Sequence, residues 1–181
     1  SEFTEGSDGL YLGGVGMRFH HNLVYNMHDD GIYLSPMFQR HKVFGGGATL
    51  HLYQNYFGRC LTMLAFGGTE PTHDTVYFYR NIVDLRAPIW TGRPSAKSPK
   101  SISQTGKLTG DHGSPPWPAM VAYHNTFVTA SYGYTPDMWM ARGAVKERPR
   151  KLFNNIFLHA QQLPPVSLLD SPDLQVDGNL Y

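Results

Sequence analysis

Two adjacent carboxylates, Asp29 and Asp30, are the side chains of this sequence best suited to acid and base chemistry. Paired carboxylates can divide these roles when their environments separate their pKa values, as in glycoside hydrolysis. Adjacent residues of a strand point to opposite sides, so both can address one substrate atom only at an irregular turn. Asp-Asp-Gly is also a favourable turn sequence in its own right. We prefer the turn interpretation for this segment, which ends at Gly31.

Cationic side chains offer a second chemistry, β-elimination. It needs a base that removes a proton beside a carboxylate, while Ca²⁺ or an arginine neutralises that carboxylate. Arg40 and Lys42 are the catalytic candidates of this kind, and Arg59 and Arg86 are alternatives. No acidic cluster with the spacing of calcium ligands accompanies them. We therefore expect no cofactor, except Ca²⁺ if the protein is a lyase.

Neither the nine histidines nor the single cysteine predicts a metal site or a nucleophile. His20 and His21 are neighbours that should point apart along a strand, which favours outward positions over zinc ligands. Cys60 lies among apolar residues, and we expect a buried, inert thiol. One cysteine also excludes an intrachain disulfide.

An internal repeat sets the elements that must position these groups. An asparagine recurs between two strand-like segments at Asn22, Asn55, Asn81, Asn125, Asn155 and Asn179. The residue three before each asparagine is apolar, and the residue two after it is apolar or aromatic. This pattern predicts a strand, a tight bend and a second strand, with an inward side chain on each strand. Asparagine suits the bend because it tolerates left-handed backbone angles and its amide can bond to neighbouring coils, forming a ladder.

The spacing of the repeat predicts where loops are inserted. Successive asparagines are 33, 26, 44, 30 and 24 residues apart. The shortest spacings are close to one bare coil, so the longer ones imply loops at a constant corner. The position two before the asparagine holds His, Tyr, Tyr, Tyr, Phe and Asp in turn, which suits an outward face.

These repeats resemble those of the pectin-lyase-like superfamily of right-handed parallel β-helices, from about residue 17 to residue 181. In that superfamily an asparagine ladder occupies the turn between the second and third strands of each coil. The resemblance implies an all-β solenoid of about five to six coils, with an asparagine ladder and long loops on one corner. It says little about activity, because the superfamily includes lyases, hydrolases, esterases and non-catalytic adhesins.

The same resemblance implies a first strand in each coil, which follows the asparagine unit after another turn. Alternation along four such strands would leave an outward column of Tyr33, Thr62, Trp90 and Trp139. Exposed rings on a flat sheet make a platform for sugar rings, unless long loops fold back over them. Those loops carry cations such as Arg93. Such cations could pair with the carboxylates of a uronic-acid polymer, or could form an ordinary solvated surface.

Composition and charge narrow the class of protein. Charged residues make up 16%, and the 19 glycines and 13 prolines favour a turn-rich β protein. A formal net charge of +1 gives no reason to expect nucleic acid or an anionic membrane as a partner. The first three residues, Ser-Glu-Phe, read as a cloning remnant, so we take residues 4–181 as one domain. Because uncapped solenoid ends expose apolar layers, we expect a continuing solenoid or a homo-oligomer joined through the open coil ends.

Two functions from different classes fit this sequence. The first is a carbohydrate-active enzyme, a polysaccharide lyase or a glycoside hydrolase that acts on an acidic polysaccharide. The second is a non-catalytic β-helix module for glycan binding, adhesion or structural support. The second is favoured by missing signatures, because the Asn-Thr-Asp, Gly-His-Gly and Arg-Ile-Lys motifs of polygalacturonases are absent from the sequence. For either function we expect a polysaccharide partner and an extracellular or periplasmic location.

Overall fold

The fold is described here from a computed structural model, for residues 1–12, 16–34, 49–67, 73–87, 89–91, 102–104, 107–112, 118–129, 148–159 and 174–180. All regular structure in these ranges is β, in sixteen strands. Over the same ranges, no helix is long and apolar enough to cross a membrane. The fold class, all-β with parallel strands in two sheets, agrees with the sequence prediction.

Six parallel strands form the first sheet, and each ends two residues before an asparagine of the repeat. In order across the sheet they are β3 (Met17–His20), β5 (Thr49–Tyr53), β7 (Thr75–Tyr79), β12 (Ala119–Tyr123), β14 (Arg150–Phe153) and β16 (Leu174–Asp177). Their register aligns equivalent residues of the repeat, so that Phe19 pairs with Leu52, and Leu52 pairs with Phe78. Each position relative to the asparagine therefore forms a straight row across this sheet.

Strands that follow the asparagines form most of a second sheet of eight parallel strands. Its main path is β1 (Glu2–Thr4), β4 (Leu23–Leu34), β6 (Tyr56–Gly67), β8 (Ile82–Asp84), β13 (Thr126–Thr129) and β15 (Ile156–His159). Beside this path, β2 (Leu10–Tyr11) pairs with β4, and β11 (Lys107–His112) pairs with β6. A separate antiparallel pair consists of β9 (Ile89–Thr91) and β10 (Ile102–Gln104).

One hydrophobic core lies between the inward faces of the two sheets. Phe57, Phe78 and Phe127 are at most 1% exposed, and their rings contact one another at centroid distances of 5.9 and 6.1 Å. This burial confirms the inward orientation that the repeat predicts for these positions. The two outermost strands of the first sheet are less well covered, since Phe19 in β3 is half-buried and Val176 in β16 is 37% exposed.

The bend between the two sheets has a left-handed residue directly before each asparagine. These residues are His21, Gln54, Arg80, His124, Asn154 and Gly178, with φ between 52° and 65°. The prediction that the asparagines themselves take the left-handed angle is therefore wrong. Their side chains are instead held by hydrogen bonds, and a left-handed residue one position earlier turns the chain toward the second sheet.

Hydrogen bonds join the six asparagines of the repeat in one continuous chain. Each of the first five donates from its backbone N and its Nδ2 to the Oδ1 of the next, at 2.8 to 3.1 Å. Nδ2 also donates to a backbone carbonyl of the six-stranded sheet, as from Asn81 to Leu52 at 2.9 Å. Asn81, Asn125 and Asn155 are each 1% exposed. These bonds satisfy buried amides that would otherwise cost free energy.

A second bend interrupts the two longest strands, β4 and β6. Asn26 and Arg59 have φ of 62° and 51° and lie between aligned residues, because Tyr25 pairs with Gly58 and Met27 pairs with Cys60. The register then shifts between Met27 and Asp30. This shift decides which residues share a face in the rest of both strands.

Candidate functional site

The predicted outward column is not aligned where the structure describes it. Thr62 pairs with Asp30, whereas Tyr33 pairs with Ala65. Thr62 is only 3% exposed, so its predicted outward position is wrong. Thr62 pairs with the buried Asp30 and lies two residues before Leu64, which is fully buried, so its side chain belongs to the inward series of β6. Alternation counted from the sequence does not by itself establish which of the two series faces inward.

Tyr33 and Trp90 also lie in different structural contexts. Tyr33 is half-buried, and its ring meets that of Tyr11 edge-on at 5.1 Å. Trp90 belongs to β9, which pairs antiparallel with β10, while β11 continues the parallel sheet beyond β6. The structure therefore differs from the predicted four-membered platform. Arg93 and Trp139 lie outside the described residues.

The two adjacent aspartates have different environments. Asp30 is 2% exposed, whereas Asp29 is half-buried. Their backbones pair with the N-terminal segment, where Asp29 N donates to the Ser7 carbonyl at 2.8 Å and Gly9 N donates to the Asp30 carbonyl at 2.7 Å. The other two catalytic candidates, Arg40 and Lys42, lie outside the described residues. In the part of the chain that the structure describes, no group of three or more His, Cys, Asp or Glu side chains could hold a metal ion.

Three side chains to which the sequence gives structural roles, Cys60, His20 and His21, have defined environments. Cys60 is fully buried, and burial raises the pKa of its thiol to about 12, which agrees with an inert thiol. The histidine pair differs from expectation, because His20 Nδ1 and His21 Nδ1 are 2.7 Å apart and share a hydrogen bond. The left-handed backbone at His21 turns both rings to the same side of the chain.

The outward side of the six-stranded sheet carries a row of stacked rings. We call His20, Tyr53, Tyr79 and Tyr123 the aromatic row. Their centroids follow one another at 4.7, 4.9 and 4.9 Å, with interplanar angles of 14°, 4° and 5°. Phe153 and Asp177 continue the same register position on the next two strands. In-register parallel strands about 4.8 Å apart impose this spacing.

A second row runs parallel to the aromatic row on the same face. We define the second row as Arg18, His51, Tyr77, Val121, Lys151 and Gln175, each two residues before its counterpart in the first row. His51 stacks on Tyr77 at 4.7 Å and 11°. Burial, and then the nearby Arg18 guanidinium, lower the pKa of His51. Arg18 is exposed and Lys151 is half-buried.

Cations outnumber anions in these two rows and the bend beside them. Arg18 and Lys151 belong to the second row, and Arg80 lies at the adjacent bend. Asp177 is the acidic side chain of the two rows. Burial, together with the neighbouring tyrosines, raises the pKa of Tyr79. Its phenol therefore stays protonated and keeps its hydrogen-bond donor at neutral pH.

The geometry of the aromatic row determines which contacts it can make. Each ring covers the face of the next ring, so the row presents ring edges and phenol hydroxyls to solvent rather than ring faces. Hydroxyls beside arginine and lysine can donate to carboxylate or sulfate oxygens. The face can therefore bind an extended anion by hydrogen bonds and charge pairing, and stacking on a ring face contributes little.

The sequence carried a signal for the aromatic row. The position two before each asparagine is aromatic in five of the six repeats, and it is correctly expected to face outward. The sequence did not predict that these rings stack on one another, because stacking follows from the in-register pairing of parallel strands.

Comparisons with protein-family models, with curated proteins and with solved structures found no match to this chain.

Proposed function

We propose that the two sheets belong to a right-handed parallel β-helix of about five to six coils, like those of the pectin-lyase-like superfamily. Three features support this proposal. All strand pairs of both large sheets are parallel, the strands before and after each bend alternate between the two sheets, and the asparagines are hydrogen-bonded from one repeat to the next. The asparagines then form the ladder of the solenoid.

We further propose that this protein binds a linear acidic polysaccharide along the outward face of the six-stranded sheet. The observation that carries the proposal is the aromatic row, with phenol hydroxyls about 4.8 Å apart, beside the cations Arg18, Lys151 and Arg80. A repeating set of donors and cations suits a repeating set of carboxylates. For such a partner we propose an extracellular or periplasmic location.

The stacking geometry favours a polysaccharide over a single-stranded nucleic acid. Bases bind proteins mainly by stacking on free aromatic faces. In the aromatic row the faces of Tyr53 and Tyr79 are covered by neighbouring rings at 4.7 to 4.9 Å. Hydroxyl-rich sugars can instead exchange hydrogen bonds with ring-edge hydroxyls.

Binding without catalysis is the version that the described residues favour. Hydrolysis by two carboxylates requires both to reach the substrate, and Asp30 is 2% exposed. Lyase or hydrolase activity can be tested separately from binding. Release of new reducing ends, or absorbance from unsaturated uronates, on incubation with acidic polysaccharides would support it.

Calorimetric titration with a carboxylated polymer and its methyl ester tests the binding proposal. Polygalacturonate should bind at low ionic strength, and its fully methyl-esterified form should bind at least tenfold more weakly, since about 1.4 kcal/mol corresponds to tenfold. The double variant Arg18→Gln/Lys151→Gln should weaken binding of the carboxylated polymer about tenfold, at up to about 1 kcal/mol for each solvent-accessible charge.

Two control variants make the result specific. Tyr79→Phe keeps the stacked ring and removes one hydroxyl, so it should weaken binding by a smaller factor. Arg86→Gln removes a cation from the other sheet and should leave polymer binding unchanged. Equal binding of the two polymers, or an equal effect of Arg86→Gln and the double variant, would contradict the proposal.

A further inference from the structure

A groove on the outward side of the eight-stranded sheet forms a second candidate site. It has a volume of about 340 Å³ and is lined by Tyr25, Tyr56, Arg59, Asp84, Arg86 and Ala87. This volume lies within the range of about 300 to 1,000 Å³ that is typical of small-molecule sites. The groove shares no residue with the aromatic row or the second row.

Strand register brings these residues together from three segments. Tyr25, Gly58 and Asp84 are aligned across β4, β6 and β8. Gly58 permits the two rings to approach the sheet, because a Cβ there would lie 2.7 Å from both Tyr25 Cδ2 and Tyr56 Cε1. Tyr25 remains 36% exposed. The rings of Tyr25 and Tyr56 therefore lie close over this glycine, and part of the surface of Tyr25 stays open to a ligand.

An ion pair fixes the charged wall of the groove. Arg86 donates from Nε to Asp84 Oδ1 at 2.9 Å and from Nη2 to Asp84 Oδ2 at 2.6 Å. Hydrogen bonding from Arg86 lowers the pKa of Asp84, so the carboxylate is ionised at neutral pH. Two-point pairing restricts the rotamers of Arg86 and orients its guanidinium.

The lining of the groove carries a net charge of one positive unit at neutral pH. Arg59 and Arg86 supply two cations, and Asp84 supplies one anion. Arg59 occupies the bend of β6 with φ of 51°, so its backbone position is set by the fold. A monoanion would neutralise this lining, whereas a dianion such as a phosphate monoester would leave an excess negative charge.

We propose that this groove binds a small aromatic monocarboxylate, with its ring against Tyr25 and Tyr56 and its carboxylate toward Arg59 and Arg86. Aromatic rings pair favourably with other rings in offset or edge-to-face geometry. Arginine matches the geometry of a carboxylate through parallel N–H donors. Neither the aromatic row nor its polysaccharide ligand enters this proposal, so each can fail without the other.

Titration with three small ligands separates the contributions of ring and charge. The probes are 4-hydroxybenzoate, its methyl ester, and galacturonate, which carries a carboxylate on a non-aromatic ring. We expect 4-hydroxybenzoate to bind and each of the other two to bind at least about tenfold more weakly, as expected when a charge-assisted hydrogen bond is lost. If galacturonate binds more tightly than 4-hydroxybenzoate, the groove is a sugar-acid site and the proposal is overturned. The proposal is also overturned if 4-hydroxybenzoate does not bind.

Variants locate the bound molecule. Arg59→Asn removes one of the two cations and keeps a side chain that tolerates the left-handed angle, and it should weaken 4-hydroxybenzoate binding about tenfold. Tyr25→Ala should weaken it as well, whereas Tyr79→Phe on the other sheet is the matched control and should not. Unchanged affinity in both Arg59→Asn and Tyr25→Ala would place the ligand elsewhere. The circular dichroism spectrum of each variant shows that it is folded.

Discussion

The bonded asparagines make a sharp stability prediction at Asn125, in the middle of the series. Its Nδ2 donates to Asn155 Oδ1 at 2.9 Å and to the Phe78 carbonyl at 2.9 Å. Its Oδ1 accepts from the backbone N and the Nδ2 of Asn81 at 2.9 and 3.1 Å. Asn125→Ala removes all four bonds at a residue that is 1% exposed.

The magnitude follows from the number of bonds and from their burial. A hydrogen bond contributes about 1 kcal/mol net, and a buried group left without its partner costs about 1 to 3 kcal/mol. Loss of four bonds should therefore lower the free energy of unfolding by about 4 kcal/mol. A domain of ordinary stability has only about 5 to 15 kcal/mol in total, so this variant should lie near the limit of folding.

Asn22 provides the matched control at the first position of the series. Its Nδ2 donates to the His20 carbonyl at 2.8 Å and to Asn55 Oδ1 at 3.1 Å. It is only half-buried, so water can replace part of what is lost. Asn22→Ala should cost about 1 to 2 kcal/mol, at most half of the effect at Asn125.

Urea denaturation followed by circular dichroism gives both free energies by linear extrapolation. A third variant, Asn125→Asp, keeps the acceptor and loses the two donors. At neutral pH it should be at least as unstable as Asn125→Ala, because its carboxylate would face two oxygens. If Asn125→Ala lowers the free energy of unfolding by less than about 1 kcal/mol, or by no more than Asn22→Ala does, the bonded asparagines do not stabilise the fold as argued.

Three further measurements test other parts of the structure. Arg80 has φ of 57°, so Arg80→Gly should be close to neutral and Arg80→Val should lower the free energy of unfolding by about 1 to 2 kcal/mol; equal midpoints for the two variants would contradict this. A hydrogen bond to Asp8 raises the pKa of Tyr11 to about 12. The stabilisation that this hydrogen bond gives is therefore fully present below about pH 10, the pKa of an unfolded tyrosine, and is lost as the pH rises through the pKa of Tyr11 in the folded protein. The difference between wild-type and Tyr11→Phe tyrosinate absorbance should therefore titrate near pH 12, and a midpoint near 10 would count against the hydrogen bond. Because burial raises the pKa of Cys60 to about 12, a thiol reagent at pH 8 should react with the protein only after denaturant is added, and fast reaction of the native protein would contradict that burial.

Local sequence pattern was sufficient to predict the strands that end at the asparagines. An apolar residue three before and another two after each asparagine define both strands and their inward sides, and Phe57 and Phe78 are buried accordingly. The same pattern was insufficient for the bend. The left-handed position holds residue types as different as Arg80 and Gly178, so no composition signal marks it, and it is found only when the chain path is known.

Two parts of the candidate sites depend on how residues pair between neighbouring strands, which is harder to predict from the sequence than the strands themselves. Thr62 was predicted to face outward by counting alternate residues along its own strand, and its alignment with the buried Asp30 shows that the count began on the wrong face. An error of one residue in such a count exchanges the two faces of a strand. The groove beside Gly58 could not be predicted from the sequence either, because it depends on the alignment of Tyr25, Gly58 and Asp84 across three strands.

In-register pairing also constrains how charge can be arranged along a row. Equivalent residues on neighbouring strands are about 4.8 Å apart, so a continuous row of cations would repel itself. The second row avoids this, because Arg18 and Lys151 lie on β3 and β14, with His51, Tyr77 and Val121 between them. Four strand spacings separate the two cations by about 19 Å. A ligand of one or two sugar residues is too short to contact both, which is why the proposed partner of this face is a polymer rather than a small acid.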